Sequence, residues 1–158
     1  MYGSFFLDEV KFARFKPSNP ENNPISYLVG FNWSGWPIRG LSLKGEFMRS
    51  YIACYTHSIE ALAWTSNSYN MGHYMGDNAQ SIYAELAYRP IRGMLLKLSY
   101  TNDTKYNSYA YLRDNISETI AQKPFDHSVF RNGVLRLDGI YEVHPNMYLT
   151  LALEYNNA

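Results

Sequence analysis

A nine-residue turn motif occurs twice, and it constrains the fold more than any other feature of the chain. Trp36 to Lys44 reads WPIRGLSLK and Arg89 to Lys97 reads RPIRGMLLK, with Pro37 and Pro90 separated by 53 positions. A shorter relative, HPNMYLTLA, begins at His144 and places Pro145 a further 55 positions on. Each copy joins two segments that alternate apolar and polar residues, the period-2 signature of a strand with two unlike faces. Three hairpins are therefore expected.

Before the first turn, Ile25, Tyr27, Val29, Phe31 and Trp33 fall on one face and Ser26, Gly30, Asn32 and Ser34 on the other; only Leu28 breaks the pattern. After it, Leu41, Leu43 and Phe47 alternate with Ser42, Lys44 and Glu46. In the second hairpin Ile82, Ala84, Leu86 and Tyr88 oppose Tyr83, Glu85 and Arg89. Met94, Leu96, Leu98 and Tyr100 then oppose Lys97, Ser99 and Thr101. In the third, Leu135, Leu137, Tyr141 and Val143 stand against Arg136, Asp138 and Glu142, followed by Met147, Leu149, Leu151, Leu153 and Tyr155 against Thr150 and Glu154. A seventh strand is expected over Phe6 to Phe15. Pairing Tyr88 with Met94 places Glu85 opposite Lys97, and pairing Val143 with Met147 places Arg136 opposite Glu154. Such opposite charges contribute about 0.2–1 kcal/mol each across an antiparallel pair.

The connections are unequal. The repeat turns need only a few residues, whereas Tyr51 to Gln80 and Asn102 to Ser128 are long, and Lys16 to Pro24 is intermediate. Loops beyond about 12–15 residues are uncommon in compact domains and are usually functional or disordered. Here they all fall at one end of the sheet, the arrangement of an outer-membrane β-barrel with short periplasmic turns and long extracellular loops. Within the second loop, Asn115-Ile116-Ser117-Glu118 reads as a capping box, predicting a short helix to about Gln122 that Pro124 stops.

Composition narrows the choice. The 158 residues carry 14 Lys plus Arg and 14 Asp plus Glu, a net charge of zero, without the basic excess of a nucleic-acid binder. Charged residues are 18% of the chain, against roughly 25% in soluble domains, while 15 Tyr, 8 Phe and 3 Trp make it rich in aromatics. One cysteine, Cys54, excludes an intramolecular disulfide framework or a cysteine zinc cluster. No apolar run is long enough for a transmembrane helix, and MYGSFFLDEVKF lacks the basic and apolar regions of a signal peptide.

Alternation alone does not say which face points inward, since a soluble lipocalin-like barrel and a membrane barrel place it oppositely. Three observations favour the membrane. Bulky apolar residues run over about ten positions per strand, close to the roughly 9–11 that cross a bilayer at a tilt. Aromatics gather toward strand ends (Trp33 and Trp36, Tyr88 and Tyr100, Tyr141 and Tyr155), where an interfacial girdle sits. The other face mixes both charge signs with Gly and Ser, suiting a wet lumen lined by Lys44, Glu46, Glu85, Lys97, Arg136, Asp138 and Glu154. The expected fold class is thus all-β: an antiparallel up-and-down transmembrane β-barrel segment of about seven strands. Because bacterial barrels have even strand numbers, residues 1–158 are expected to be part of a single outer-membrane barrel domain truncated at both ends, its signal peptide lost with the truncation.

The segment Tyr69 to Gly93, YNMGHYMGDNAQSIYAELAYRPIRG, resembles the Wzi-like capsule-assembly family of outer-membrane barrels, especially members from Bacteroides-type bacteria. The matching positions are Tyr69, Gly72, His73, Gly76, Asp77 and Asn78, before re-entry into a strand. The LDEVKFARF opening is similar to a strand of the same group. The resemblance implies a non-enzymatic role in holding or organising surface polysaccharide, acting as a lectin. Whole family members are several times longer. The loop carries residue types suited to that role: Tyr51, Tyr55, Trp64, Asn67, Tyr69, Asn70, His73, Tyr74, Asp77 and Asn78 supply rings that stack on sugars and groups that hydrogen-bond hydroxyls. A structural alternative stands beside it, in which Gly72 and Gly76 are turn glycines and His73 fixes the loop through a backbone hydrogen bond.

No catalytic constellation is expected. His73, Asp77 and Ser81 share a helical spacing, but a strand begins there, and no G-x-S-x-G motif exists. The histidines His57, His73, His127 and His144 show no metal-ligand spacing. No cofactor is expected, Cys54 is expected to be buried rather than reactive, and the expected partners are outer-membrane lipid and surface polysaccharide, with no nucleic acid. A porin-like channel for small solutes is the competing function, and a soluble β-barrel ligand binder is a third.

Overall fold

Seven strands form one antiparallel sheet in the computed structural model, which describes residues 1–8, 10–16, 18–19, 21–35, 37–55, 63–67, 69–106, 121 and 123–157. In chain order the elements are β1 (Tyr2–Leu7), a 3-10 turn (Phe12–Phe15), β2 (Ile25–Ser34), β3 (Leu41–Ser50), β4 (Thr65–Ser66), β5 (Tyr69–Asn70), β6 (Ala79–Tyr88), β7 (Met94–Tyr106), β8 (Ser128–His144) and β9 (Met147–Asn157). The sheet order is β1-β2-β3-β6-β7-β8-β9, every neighbouring pair antiparallel, while β4 and β5 pair with each other in a small hairpin. The sheet is open: β1 and β9 are its edges among the described residues. All three repeat turns lie at one end and the longer connections at the other. Trp36, His57 and the expected helix from Asn115 to Gln122 lie outside the described residues, apart from Ala121.

The six hairpin strands form where the alternation predicts them. The seventh does not. Its expected span, Phe6 to Phe15, is a strand only up to Leu7, and Phe12–Phe15 is a 3-10 turn. Leu7 pairs with Ile25, the first residue of β2; beyond it the next partner is Pro24, which has no N–H to offer a ladder. The Asp8 amide still donates to the Pro24 carbonyl at 3.4 Å, and the chain then turns away. Arg14, buried in that turn, donates to the half-buried Glu21 at 2.9 Å, so the residues read as strand serve an ion pair instead.

Register departs from expectation in the second hairpin. Tyr88 stands opposite Leu96 and Glu85 opposite Ser99, so Lys97 faces Ala87 rather than Glu85. The cause is the turn: the Met94 amide donates to the Ile91 carbonyl at 3.3 Å and Gly93 takes φ +80°. Ile91 to Met94 is thus a β-turn with glycine in the left-handed region at its third position, set in a connection from Arg89 to Gly93 that moves the pairing by two positions. A shift of two leaves every side chain on its expected face. In the third hairpin Arg136 does stand opposite Glu154, while a bulge near Val143 lets His144 take the place opposite Met147.

The two faces of the sheet differ in an unusual way. The apolar face, carrying Val29, Phe31, Leu43, Ile82, Leu86, Leu98, Leu137 and Leu151 among others, is exposed. Seven strands about 4.8 Å apart and some ten residues long, at about 3.4 Å each, make it on the order of 1,000 Å². Monomeric soluble proteins rarely expose apolar patches beyond a few hundred Å². The largest fully buried side chains among the described residues, Ser50, Ile52, Cys54 and Asn78, sit instead at the long-loop end, where the connection after β3 folds onto the polar face.

Candidate functional site

The connection from Tyr51 to Asn78 is held to the polar face by side chains that project from that face near the strand ends. Ser50 Oγ donates to the Gly76 carbonyl at 2.6 Å, and Tyr55 donates its hydroxyl to Ser26 Oγ at 2.7 Å. The Asp103 carboxylate accepts from Ser81 Oγ at 2.6 Å and from the Tyr74 hydroxyl at 2.7 Å. Lys105 Nζ pairs with Asp77 at 3.1 Å and also donates to the Asp77 and Met75 carbonyls. Asp77 in turn accepts from the Ala53 amide at 3.1 Å. The Cys54 thiol donates to the Ile25 carbonyl; burial raises its pKa, so it stays a thiol and is a poor nucleophile.

Asn78 joins this connection to the next. Its amide donates to the Tyr51 carbonyl at 3.1 Å, its carbonyl accepts from the Tyr106 amide at 3.0 Å, and its side-chain oxygen accepts from the Phe125 amide at 3.1 Å. Phe125 then lies under the Arg49 guanidinium, 3.8 Å from the ring centre, with Tyr51 and Tyr106 edge-on at 5.0 and 5.3 Å. The glycine-histidine pair of the motif also has a physical reason. A Cβ on Gly72 would lie 2.3 Å from the Tyr55 ring, so only glycine fits against it.

The ten candidate saccharide-binding residues thus divide by environment. Tyr55 and Asn78 are buried, Tyr51, Asp77 and His73 are half-buried, and these side chains hold the loop together. Trp64, Asn67, Tyr69, Asn70 and Tyr74 are exposed. Tyr69 is 78% exposed and Tyr74 70%, although the Tyr74 hydroxyl is anchored on Asp103. Trp64 rests one side on Phe6 at 5.3 Å, and Tyr74 lies 4.3 Å from the His73 ring. Asn70 is engaged in its own turn, accepting from the Gly72 amide at 2.9 Å and donating to the His73 carbonyl at 3.1 Å. The result is a set of aromatic faces on a braced loop.

His73 acts within that brace: its Nδ1 accepts from the Met75 amide at 3.3 Å. Burial lowers its pKa from the ordinary 6.5, against the opposing pull of Asp103 and Glu46. The folded state therefore favours the neutral ring and the unfolded chain binds the proton more readily. This contribution to stability is whole above pH 6.5 and is lost as pH falls through the folded-state pKa. Protection of the Met75 amide against hydrogen exchange is expected to weaken as pH is lowered to about 5, and His73→Gln to remove that pH dependence. A flat profile in the unaltered protein would refute this role.

Lower on the same polar face, all seven expected lumen charges lie in one row. Lys44 meets Glu46 at 3.2 Å and lies 5.4 Å from the centre of the Tyr83 ring, and Tyr83 donates to Glu85 at 2.5 Å. Lys97 bridges Glu85 and Asp138 at 3.9 and 3.8 Å, and Arg136 bridges Asp138 and Glu154 at 2.9 and 3.6 Å. Tyr2 extends the row by donating to Glu46. Each pair is partly exposed, so its worth to stability is small; the consequence is a polar wall with alternating charge.

Sequence reasoning missed Asp103, Lys105, Phe125 and Arg49. Asp103 and Lys105 fall in what reads as a loop from Asn102, but β7 continues to Tyr106. Over that stretch both faces are polar, so the alternation that reveals a strand vanishes while the ladder continues. Among the described residues no group of three His, Cys, Asp or Glu is placed to hold a metal ion. Comparison with known proteins adds no relative: no family model matches the chain, and neither a curated protein nor a solved structure does so.

Proposed function

We propose that this chain forms wall and loops of a bacterial outer-membrane β-barrel that holds or organises surface polysaccharide without chemically altering it. The observation that carries the reading is the inverted dressing of the sheet. The long loop folds onto the polar face, and the apolar face is left bare. In water that arrangement exposes a large apolar surface and buries serines and carboxylates; with lipid outside and a wet lumen inside it is favourable. Strands of about ten residues, tilted as in such barrels, match an apolar band about 25 Å tall. Above that band, the braced loop offers the rings of Trp64, Tyr69 and Tyr74 to sugar faces, with Asn67 beside them.

The test is retention of surface polysaccharide by cells carrying single substitutions in the complete protein. Tyr69→Ala is expected to weaken polysaccharide binding about tenfold, the effect of removing one aromatic anchor. Tyr74→Phe, which keeps the ring but loses the Asp103 anchor, is expected to have a smaller effect. Normal retention in the Tyr69→Ala and Trp64→Ala variants, with the protein present at normal level, would refute the loop's role. The row of charges favours a second reading, a porin-like channel whose wall it would form. Large conductance in planar bilayers, together with normal polysaccharide on cells lacking the protein, would establish that reading instead.

A further inference from the structure

We infer that the short-turn end of the sheet binds the phosphate of a membrane phospholipid, an inference that rests on the membrane reading proposed above. The two Ile-Arg-Gly turns close alike: the Leu41 amide donates to the Ile38 carbonyl at 3.2 Å, as Met94 does to Ile91 at 3.3 Å. They also stand side by side, because β3 and β6 are neighbours in the sheet. The Arg89 amide donates to the Gly40 carbonyl at 2.8 Å, tying the second copy to the first. Equivalent positions of the two turns are thereby about 10 Å apart, two strand spacings.

Arg39, Arg89 and Arg92 consequently line one cleft of about 680 Å³, together with Pro90, Ile91 and Met94. All three arginines are exposed, and among the described residues none of their guanidiniums has a hydrogen-bond or ion-pair partner. Arg14, Lys44, Lys97, Lys105, Lys123 and Arg136, by contrast, each lie within 4.0 Å of a carboxylate. Glu142 packs against Gly93 and offsets only part of the cluster's charge. Unpaired guanidiniums present forked donors that match phosphate oxygens.

The surroundings favour a lipid over a soluble phosphate. Ile38 and Ile91 flank the arginines and are exposed, and Met94 begins the bare apolar face. Cations at the end of an apolar band, beside exposed aliphatic side chains, sit where headgroup phosphates meet acyl chains. The repeat of the turn thus has a use beyond closing hairpins: the first copy contributes Arg39, and the second Arg89 and Arg92, to a shared anion site.

The test uses the complete protein in neutral detergent, titrated with phosphatidylglycerol and followed by native mass spectrometry. The combined variant Arg39→Gln, Arg89→Gln, Arg92→Gln is expected to bind the lipid at least about tenfold more weakly. Arg131→Gln, at the opposite end of the strands, is expected to bind it like the unaltered protein. β-Sheet circular dichroism confirms that each variant is folded. Equal lipid binding by the triple variant, or displacement of the lipid by inorganic phosphate at about 10 mM (at which a merely millimolar anion site would fill), would overturn the proposal. A protein that stays soluble without detergent would overturn the membrane reading itself, and the lipid site with it, whatever the arginine variants do.

Discussion

Leu98→Arg is expected to destabilise the protein by about 2–4 kcal/mol when it is folded into lipid vesicles, the cost of a cation at the middle of a barrel's lipid face. Leu98 lies between Leu86 and Leu137 on adjacent strands, at the centre of the bare face, and is 43% exposed. In water the same substitution at so exposed a position would change stability by no more than about 0.5 kcal/mol and would raise solubility. Urea titration in vesicles, beside the solubility of the variant without detergent, separates the two. A negligible change with improved solubility would sink the assignment of lipid to this face. The substitution makes no demand on the loops, so the outcome bears on the sheet alone.

Gly40→Ala is expected to cost about 3 kcal/mol or more. A non-glycine residue held in the left-handed region costs about 1–3 kcal/mol, and overpacking adds about 1–3 kcal/mol. Gly40 has φ +82°, and a Cβ there would come 2.4 Å from the Arg89 carbonyl oxygen. That oxygen belongs to backbone hydrogen-bonded back to Gly40, so it has nowhere to move. Gly35 is the internal control: it has φ +83° but nothing within 4 Å of its hypothetical Cβ. Gly35→Ala should therefore cost only the backbone part. Equal midpoint shifts for the two variants in denaturant titration would show that the close approach of the two turns has no energetic weight.

Much of the sheet was legible in the sequence because each hairpin strand carries its own evidence. Ile25 to Trp33 alternate with one break at Leu28, Met147 to Tyr155 place an apolar residue at every second position, and side-chain period alone assigns each residue to a face. The pairing of Arg136 with Glu154 followed from the same pattern. Legibility failed where local pattern and partner availability diverge. Phe12 to Phe15 looks like strand, yet no partner lies beyond Pro24. Asp103 and Lys105 look like loop, yet β6 and β8 supply partners on both sides.

The candidate site shows the same division. Composition marked the loop as rich in Tyr, Asn, His and Asp, but cannot distinguish a side chain that braces the loop from one that faces outward. Tyr55 and Tyr69 are the same residue type in the same connection; one is buried with its hydroxyl on Ser26, and the other stands free. That difference is set by contacts across the sheet, between Ser26 of β2 and a residue 29 positions later.

The sequence by itself determined the six hairpin strands, the two unlike faces, and the placing of short turns at one end and long loops at the other. These properties are written in residue period and turn chemistry, which act over a few neighbouring positions. Only the tertiary structure decided which side of the sheet the long loop covers, and which of its polar groups are consumed in holding it there. It also decided that the two Ile-Arg-Gly turns meet to gather three unpaired arginines. Those outcomes depend on strand neighbours far apart in the chain, and no local pattern encodes which β-strand will lie beside which.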